Sequence, residues 1–204
     1  MKKFLALAAS FCAMSVAAHA ADVAPVLDQK EWFVKIGGTY VLPDSAGTIS
    51  TRAGPAPVTV GNAFTGTIEA GRYFSDRFSV SLTGGIPPTH DIFIGGVKQG
   101  TVTLGAFALD GQFHLTDRGP LDLYVGGGLA YNVYFSNTVP GVTSVDGGFA
   151  PVLQIGAEYK VSDSVGIFAD VKKEFFTTTV YSAAPAFKER LDPLAITAGV
   201  AFHF

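Results

Sequence analysis

Few side chains in this sequence have the means to do catalysis. Histidine occurs at His19, His90, His114 and His203, and the single cysteine is Cys12. A lipid-modifying hydrolase would set a histidine beside a serine and an acid. His90 adjoins Asp91 but has no serine within three residues. His114 shares a strand face with Asp110, and its nearest hydroxyl is Thr116. His203 sits in the last apolar segment, with no serine nearby. No His, Cys, Asp or Glu spacing fits a metal site, and no glycine-rich phosphate loop joins a strand to a helix. The expectation is a protein that is not an enzyme, with no catalytic residues, cofactor or metal.

A second group of polar residues recurs at alternate positions between apolar ones: Lys35, Glu69, Asp110, Gln112, Glu158, Asp170, Lys172 and Glu174, with His114, Asp122, Asn132, Gln154 and Lys160 in phase with them. If these segments are strands, the polar residues share one face and the apolar residues the other. On the inner wall of a barrel they become candidate lumen-lining groups of both signs. Buried charges persist when paired or solvated. The set reads either as an ion-pair network bracing the wall or as a narrow, gated, mildly cation-favouring passage.

The elements that would position them are period-two segments near residues 31–42, 64–74, 78–86, 101–115, 121–136, 148–161, 165–179 and 191–204. Each approaches or exceeds the roughly 9–11 residues needed to cross an outer membrane at a tilt. The connections alternate in length. Ser75-Asp76-Arg77, residues 116–120 and Ser162-Asp163-Ser164 are tight polar turns, whereas residues 43–63, 87–100, 137–147 and 180–190 are long. Short periplasmic turns and long extracellular loops mark outer-membrane barrels. Hydrophobic residues are 48% of the chain and charged residues only 15%, against about 25% charged in soluble domains. The predicted fold is therefore all-β, an eight-stranded antiparallel transmembrane β-barrel over residues 31–204.

Residues 1–20 read as a signal peptide. Lys2 and Lys3 precede an apolar run, and Ala18-His19-Ala20 offers a cleavage site near Ala20. Residues 21–30 read as a periplasmic tail. Removing the leader takes away two lysines and no acid, making the formal charge of −3 two units more negative. No basic stripe appears, which excludes nucleic acid as a partner. The expected location is the outer membrane of a Gram-negative-type bacterium after Sec-type export, as a monomer.

Several motifs, in order along the chain, resemble the OmpW family of outer-membrane proteins. They are Val34-Lys35-Ile36-Gly37-Gly38-Thr39-Tyr40-Val41-Leu42-Pro43, Pro88-Thr89-His90-Asp91-Ile92, Leu123-Tyr124-Val125-Gly126-Gly127-Gly128-Leu129 and Leu191-Asp192-Pro193. The second is offset by the doubled Pro87-Pro88, and the third has Leu123 where the family pattern has proline. The resemblance implies an eight-stranded barrel that gives small hydrophobic molecules or ions passive, gated passage. The alternative is a structural, adhesive or receptor-type barrel without transport. His90 and Asp91 are candidate loop contacts. The long connections and the strand ends beside them are rich in apolar residues (Val41, Ile49, Val58, Val60, Phe64, Ile86, Ile92, Phe93, Ile94, Val139, Val142, Phe149, Val180, Tyr181, Phe187), which either line a vestibule or pack the loops together. Outer-membrane lipid and lipopolysaccharide are the expected surroundings. Alternation points Lys173 at that lipid, where its amine would snorkel to phosphates; a β-bulge near Lys172 would instead turn it inward.

Gly199, Phe202 and Phe204 in the final segment resemble the C-terminal strand signal read by the barrel-assembly machinery. Deleting Phe204, or replacing it with Ser, is expected to lower the yield of folded protein in the outer membrane and leave unfolded chain in the periplasm. Unchanged yield and unchanged heat-modifiable gel migration would refute that role.

Overall fold

The structure, a computed structural model, describes residues 31–45, 47–51, 54–116, 120–182 and 186–204. The leader (1–20), the tail (21–30) and part of the second short turn lie outside the described residues. Fourteen strands follow in order: β1 (Trp32–Leu42), β2 (Thr48–Thr51), β3 (Gly54–Val60), β4 (Ala63–Ser75), β5 (Phe78–Gly85), β6 (Thr89–Ile94), β7 (Val97–His114), β8 (Leu121–Asn137), β9 (Val142–Val145), β10 (Gly148–Lys160), β11 (Val165–Glu174), β12 (Thr177–Ser182), β13 (Phe187–Arg190) and β14 (Leu194–His203).

Eight of them close a ring, β7-β5-β4-β1-β14-β11-β10-β8 and back to β7. All neighbours are antiparallel, and β1 and β14 pair from Phe33↔His203 to Leu42↔Leu194. Trp32 and Phe204 exchange backbone hydrogen bonds at 3.0 Å, sealing the periplasmic end of that seam. A closed ring leaves no unpaired edge in lipid, where an orphaned N–H or C=O costs several kcal/mol.

Alternation sorts the two faces. On β8, Leu123, Val125, Leu129, Tyr131 and Phe135 are exposed, while Asp122, Tyr124, Ala130 and Asn132 are buried. On β7, Phe107, Leu109 and Phe113 face out and Asp110, Gln112 and His114 face in. The exposed apolar band is the lipid-facing surface of an outer-membrane barrel.

The long connections are not irregular loops. They hold the six short strands β2, β3, β6, β9, β12 and β13. β2, β3 and β6 extend the sheet along the upper half of β7, and β13-β12-β9 form a second sheet. The two are tied together where Asp44 N–H donates to the Leu191 carbonyl at 2.8 Å and Gly47 N–H to Glu189 Oε1 at 3.0 Å. The segment expected to run unbroken over 165–179 divides at Phe175-Phe176. Phe175 N–H donates to the Pro151 carbonyl, while Phe176 N–H turns to the Asp192 carboxylate at 2.8 Å. Phe175 therefore points outward, and Phe176 is buried beneath the upper sheets.

Lys173 keeps the outward phase, and β11 pairs regularly with β10 and β14 on either side of it. Its amine donates to the Asp192 carbonyl at 2.5 Å. An internal acceptor thus serves the amine that snorkelling would have sent to lipid phosphate.

Several inner-wall glycines are required by close approach. A Cβ at Gly156 would lie 2.4 Å from Cζ of Tyr124. That ring is fully buried, and the Lys35 amine sits 4.1 Å from its centroid. Gly156→Ala is expected to cost about 1–3 kcal/mol through overpacking, read as a lower urea midpoint for unfolding from vesicles. An unchanged midpoint would mean that Tyr124 has room to move.

Candidate functional site

The inward-facing polar residues form one connected network in the lower bore. Lys172 on β11 donates to Glu69 Oε2 (3.0 Å), Thr83 Oγ1 (2.6 Å) and Asp110 Oδ2 (2.6 Å), joining β11 to β4, β5 and β7 across the lumen. Gln112 donates its amide to Glu69 Oε1 (2.8 Å), Ser81 Oγ (3.1 Å) and Gln154 Oε1 (3.1 Å). Gln154 and the Tyr124 hydroxyl both donate to Asp170 Oδ2, at 3.2 and 3.4 Å. Lys35 lies 3.9 Å from both Glu69 Oε1 and Glu158 Oε2, and His203 Nε2 is 2.5 Å from Glu158 Oε1. Glu174 sits higher and accepts from the Asn132 amide at 3.1 Å. Lys35, Asp110, Gln112 and Glu158 are no more than 1% exposed, so this part of the bore is filled.

At the periplasmic end the fold assembles a group not legible in the sequence. Ser79 Oγ lies 2.9 Å from His114 Nε2, and His114 Nδ1 lies 2.8 Å from Asp122 Oδ2. This corrects the expectation that no serine reaches a histidine. Ser79 is on β5, next to β7, but β6 intervenes in the chain and hides the register that joins them. The geometry is that of a proton relay, but Ser79 and His114 are fully buried and Asp122 is 1% exposed. Nucleophilic attack needs a substrate atom about 3–3.5 Å away, and neither cavity described below is lined by any of the three. In this structure the trio ties β5, β7 and β8 together at the base.

Above the network the inner wall changes character. A cavity of about 660 Å³ opens between the two extracellular sheets, lined by apolar residues such as Ile49, Val58, Ile92, Val139, Val142 and Val180. Their side chains belong to a vestibule; Phe64 and Phe149, by contrast, are 73% exposed on the outer surface. A smaller cavity of about 150 Å³ lies beneath it, and Val60, Leu104 and Leu191 line both. Its floor is Lys35, Glu69, Asp170 and Lys172, and its walls include Phe168, Phe176, Ala106 and Ala108.

Residues 28–204 match the OmpW family. The chain belongs to that family. It is 27% identical to an uncharacterized outer-membrane protein, y4mB, of Sinorhizobium fredii, over 98% of this chain and 94% of the relative. The crystal structure of the outer membrane protein OprG from Pseudomonas aeruginosa superposes with a TM-score of 0.73 at 18% identity, covering 86% of this chain and 96% of that one. The solid-state NMR structure of outer membrane protein AlkL in lipid bilayers, a protein known from Ectopseudomonas oleovorans, gives 0.69 at 24% identity, covering 92% and 95%. This OmpW-family chain is an outer-membrane barrel.

The motif Pro88-Thr89-His90-Asp91-Ile92 divides between the two sides of β6. Asp91 points outward and pairs with Lys98 at 2.7 Å. His90 is 4% exposed, lines the lower cavity and meets the Gly61 carbonyl through Nδ1 at 2.8 Å. Burial holds its imidazole below the usual histidine range, against the bond to Gly61, which favours the charged form.

Removing one partner from a buried ion pair costs about 3–5 kcal/mol because the other is left uncompensated. Lys172→Met is expected to lose stability on that scale, and adding Glu69→Gln and Asp110→Asn is expected to restore part of it. A neutral effect of Lys172→Met on the urea midpoint would mean that the network does not brace the wall.

Proposed function

We propose that this barrel gives small apolar molecules passive passage from the cell surface into the outer membrane, without catalysis. The observation that carries the reading is the stacking of an apolar vestibule of about 660 Å³, and of the smaller cavity it joins, on a polar network that fills the bore below. An apolar solute has a reason to enter the two cavities and none to descend past them, because the floor is built of buried charged groups. Eight strands enclose a space that side chains can fill, whereas open aqueous channels belong to barrels of roughly 16 strands.

The remaining way out is sideways. The lower cavity meets the wall at Ile86, Pro88, Leu104, Gly105 and Ala106. There the pairing of β5 with β7 ends at Thr83↔Ala108, and that of β6 with β7 begins at Thr89↔Thr103. Ile86 itself is 70% exposed toward lipid. A solute passing between these residues exchanges one apolar environment for another, so little free energy opposes the step.

Filling the passage tests the reading. Leu104→Trp, at the junction of the cavities, or Ala106→Phe, in the lower one, is expected to slow n-octane uptake several-fold in cells that depend on this protein. Heat-modifiable migration should be retained. In planar bilayers the wild type should give small, infrequent current steps. Uptake unaffected by both substitutions, or a steady conductance like that of a general porin, would overturn the proposal. In the first case the receptor-type alternative would gain support.

A further inference from the structure

The lower cavity contains one polar atom whose position the passage of hydrocarbons does not explain. His90 is held inside it by the Nδ1 contact to the Gly61 carbonyl. A carbonyl oxygen only accepts, so Nδ1 carries the proton and donates. Burial disfavours a second proton, and a neutral ring with its proton on Nδ1 keeps a lone pair on Nε2. Among the described residues Nε2 has no hydrogen-bond partner.

The hydroxyl and amide groups nearest to it are already engaged. Thr65 donates to the Ile86 carbonyl at 2.5 Å, Thr39 bonds Thr67 and Thr197 at 2.8 and 2.9 Å, and the Asn132 amide donates to Glu174. The three contacts of the Lys172 amine account for its three protons. Val102 lies opposite His90 across the β6–β7 ladder and Ile92 two residues further along β6, both buried and apolar. The cavity therefore presents an acceptor in an apolar wall, above a floor where the Lys172 donors are occupied, the Lys35 amine lies 3.9 Å from Glu69 and Glu158, and Asp170 Oδ1 has no hydrogen-bond partner among the described residues.

We propose that His90 Nε2 accepts a hydrogen bond from solutes in the lower cavity, so that the site prefers apolar molecules bearing one hydroxyl group, such as alkanols and phenols, over plain hydrocarbons of the same length. The inference rests on the passage of apolar solutes proposed above and adds a chemical preference to it. His90 is a binding and orienting residue here. It sets the hydroxyl toward β6 and leaves the apolar body of the solute against Leu104, Ala106 and Phe176.

The test uses the full folded chain in lipid nanodiscs, ¹⁵N-labelled at histidine, with 1-octanol and n-octane as probes. Two ring signals are expected for His90, one protonated and one bare, and 1-octanol should move the bare Nε2 signal while n-octane leaves it in place. Octanol should bind more tightly than octane by up to about tenfold, the scale of one neutral hydrogen bond. His90→Phe should remove that preference and keep octane binding. If His90→Phe does not fold, the wild-type spectrum decides. Equal binding of octane and octanol with no shift at Nε2 would overturn the role of His90 while leaving apolar passage intact. Failure of both probes to bind would overturn the role of His90 and the passage together. A preference for octanol that survives in His90→Phe would place the acceptor elsewhere.

Discussion

Closure of the ring at eight strands is the constraint from which the rest of this structure follows. In lipid every backbone N–H and C=O must find a partner within the protein. The β1–β14 and β7–β8 seams meet that demand and, by fixing the strand number, fix the diameter as well. The inner wall then lies so close to itself that Lys172 on one side reaches Glu69 and Asp110 on others. With lipid taking the apolar faces of the strands, polar residues must fill the interior. Charged residues can do so only as a set, because a single unmatched member costs more than a completed pair contributes. A bore this narrow is filled by side chains along its lower half.

The same period-two rule continues above that level, but the inward residues change in kind. Read up β7, the inner face runs His114, Gln112, Asp110, then Ala108, Ala106, Leu104 and Val102. From β11 into β12 it runs Asp170, Lys172, Glu174, then Phe176, Thr178 and Val180. From β4 back into β3 it passes from Glu69 through Thr65 to Val60 and Val58. Three separate stretches thus place a polar-to-apolar change at about the same height. Above the lipid the outward faces no longer need to be apolar, as the exposed Asp91–Lys98 pair shows, and apolar side chains can turn inward to make a vestibule.

The eight barrel strands were legible because alternation over eight or more residues is a strong signal, and the phase of each inner face followed from it. The extracellular sheets were hidden by their own brevity. Strands of four to seven residues such as Thr48–Thr51 and Gly54–Val60 are bounded by Pro and Gly, and that punctuation reads as loop. Phe175-Phe176 breaks its strand through a tertiary contact, the Asp192 carboxylate taking the Phe176 N–H, and no local pattern announces it. Ser79 and His114 meet through a register between strands that are not consecutive in the chain. His90 could be singled out as a residue type, but not its cavity-facing side, because the strand that carries it was read as part of a loop.

Pro87-Pro88 connects the closure constraint to the proposed route. In an antiparallel sheet successive N–H groups point to opposite neighbours, so two adjacent prolines withdraw one donor toward each side of the strand. Pairing with β7 lapses beyond Thr83↔Ala108, whereas on the β4 side Ile86 N–H still donates to the Gly66 carbonyl at 3.0 Å past the last pair Thr67↔Gly85, so β5 is released from β7 before the prolines and from β4 at them. Such a gap would be costly at mid-membrane. Here its carbonyls are partly served, by Thr65 Oγ1 donating to Ile86 and Leu104 N–H to Pro88, while the Pro87 ring packs 3.2 Å from where a Cβ at Gly105 would stand. The wall at this height is held by side-chain packing and a few hydrogen bonds in place of a full ladder. Packing of that kind can part and close again without breaking the ring below, where the ladder is continuous and ion pairs join β1, β4, β7, β10 and β11. The sideways exit proposed at Pro87-Pro88 and the filled bore beneath it would thus be two consequences of how the same eight strands satisfy their backbone.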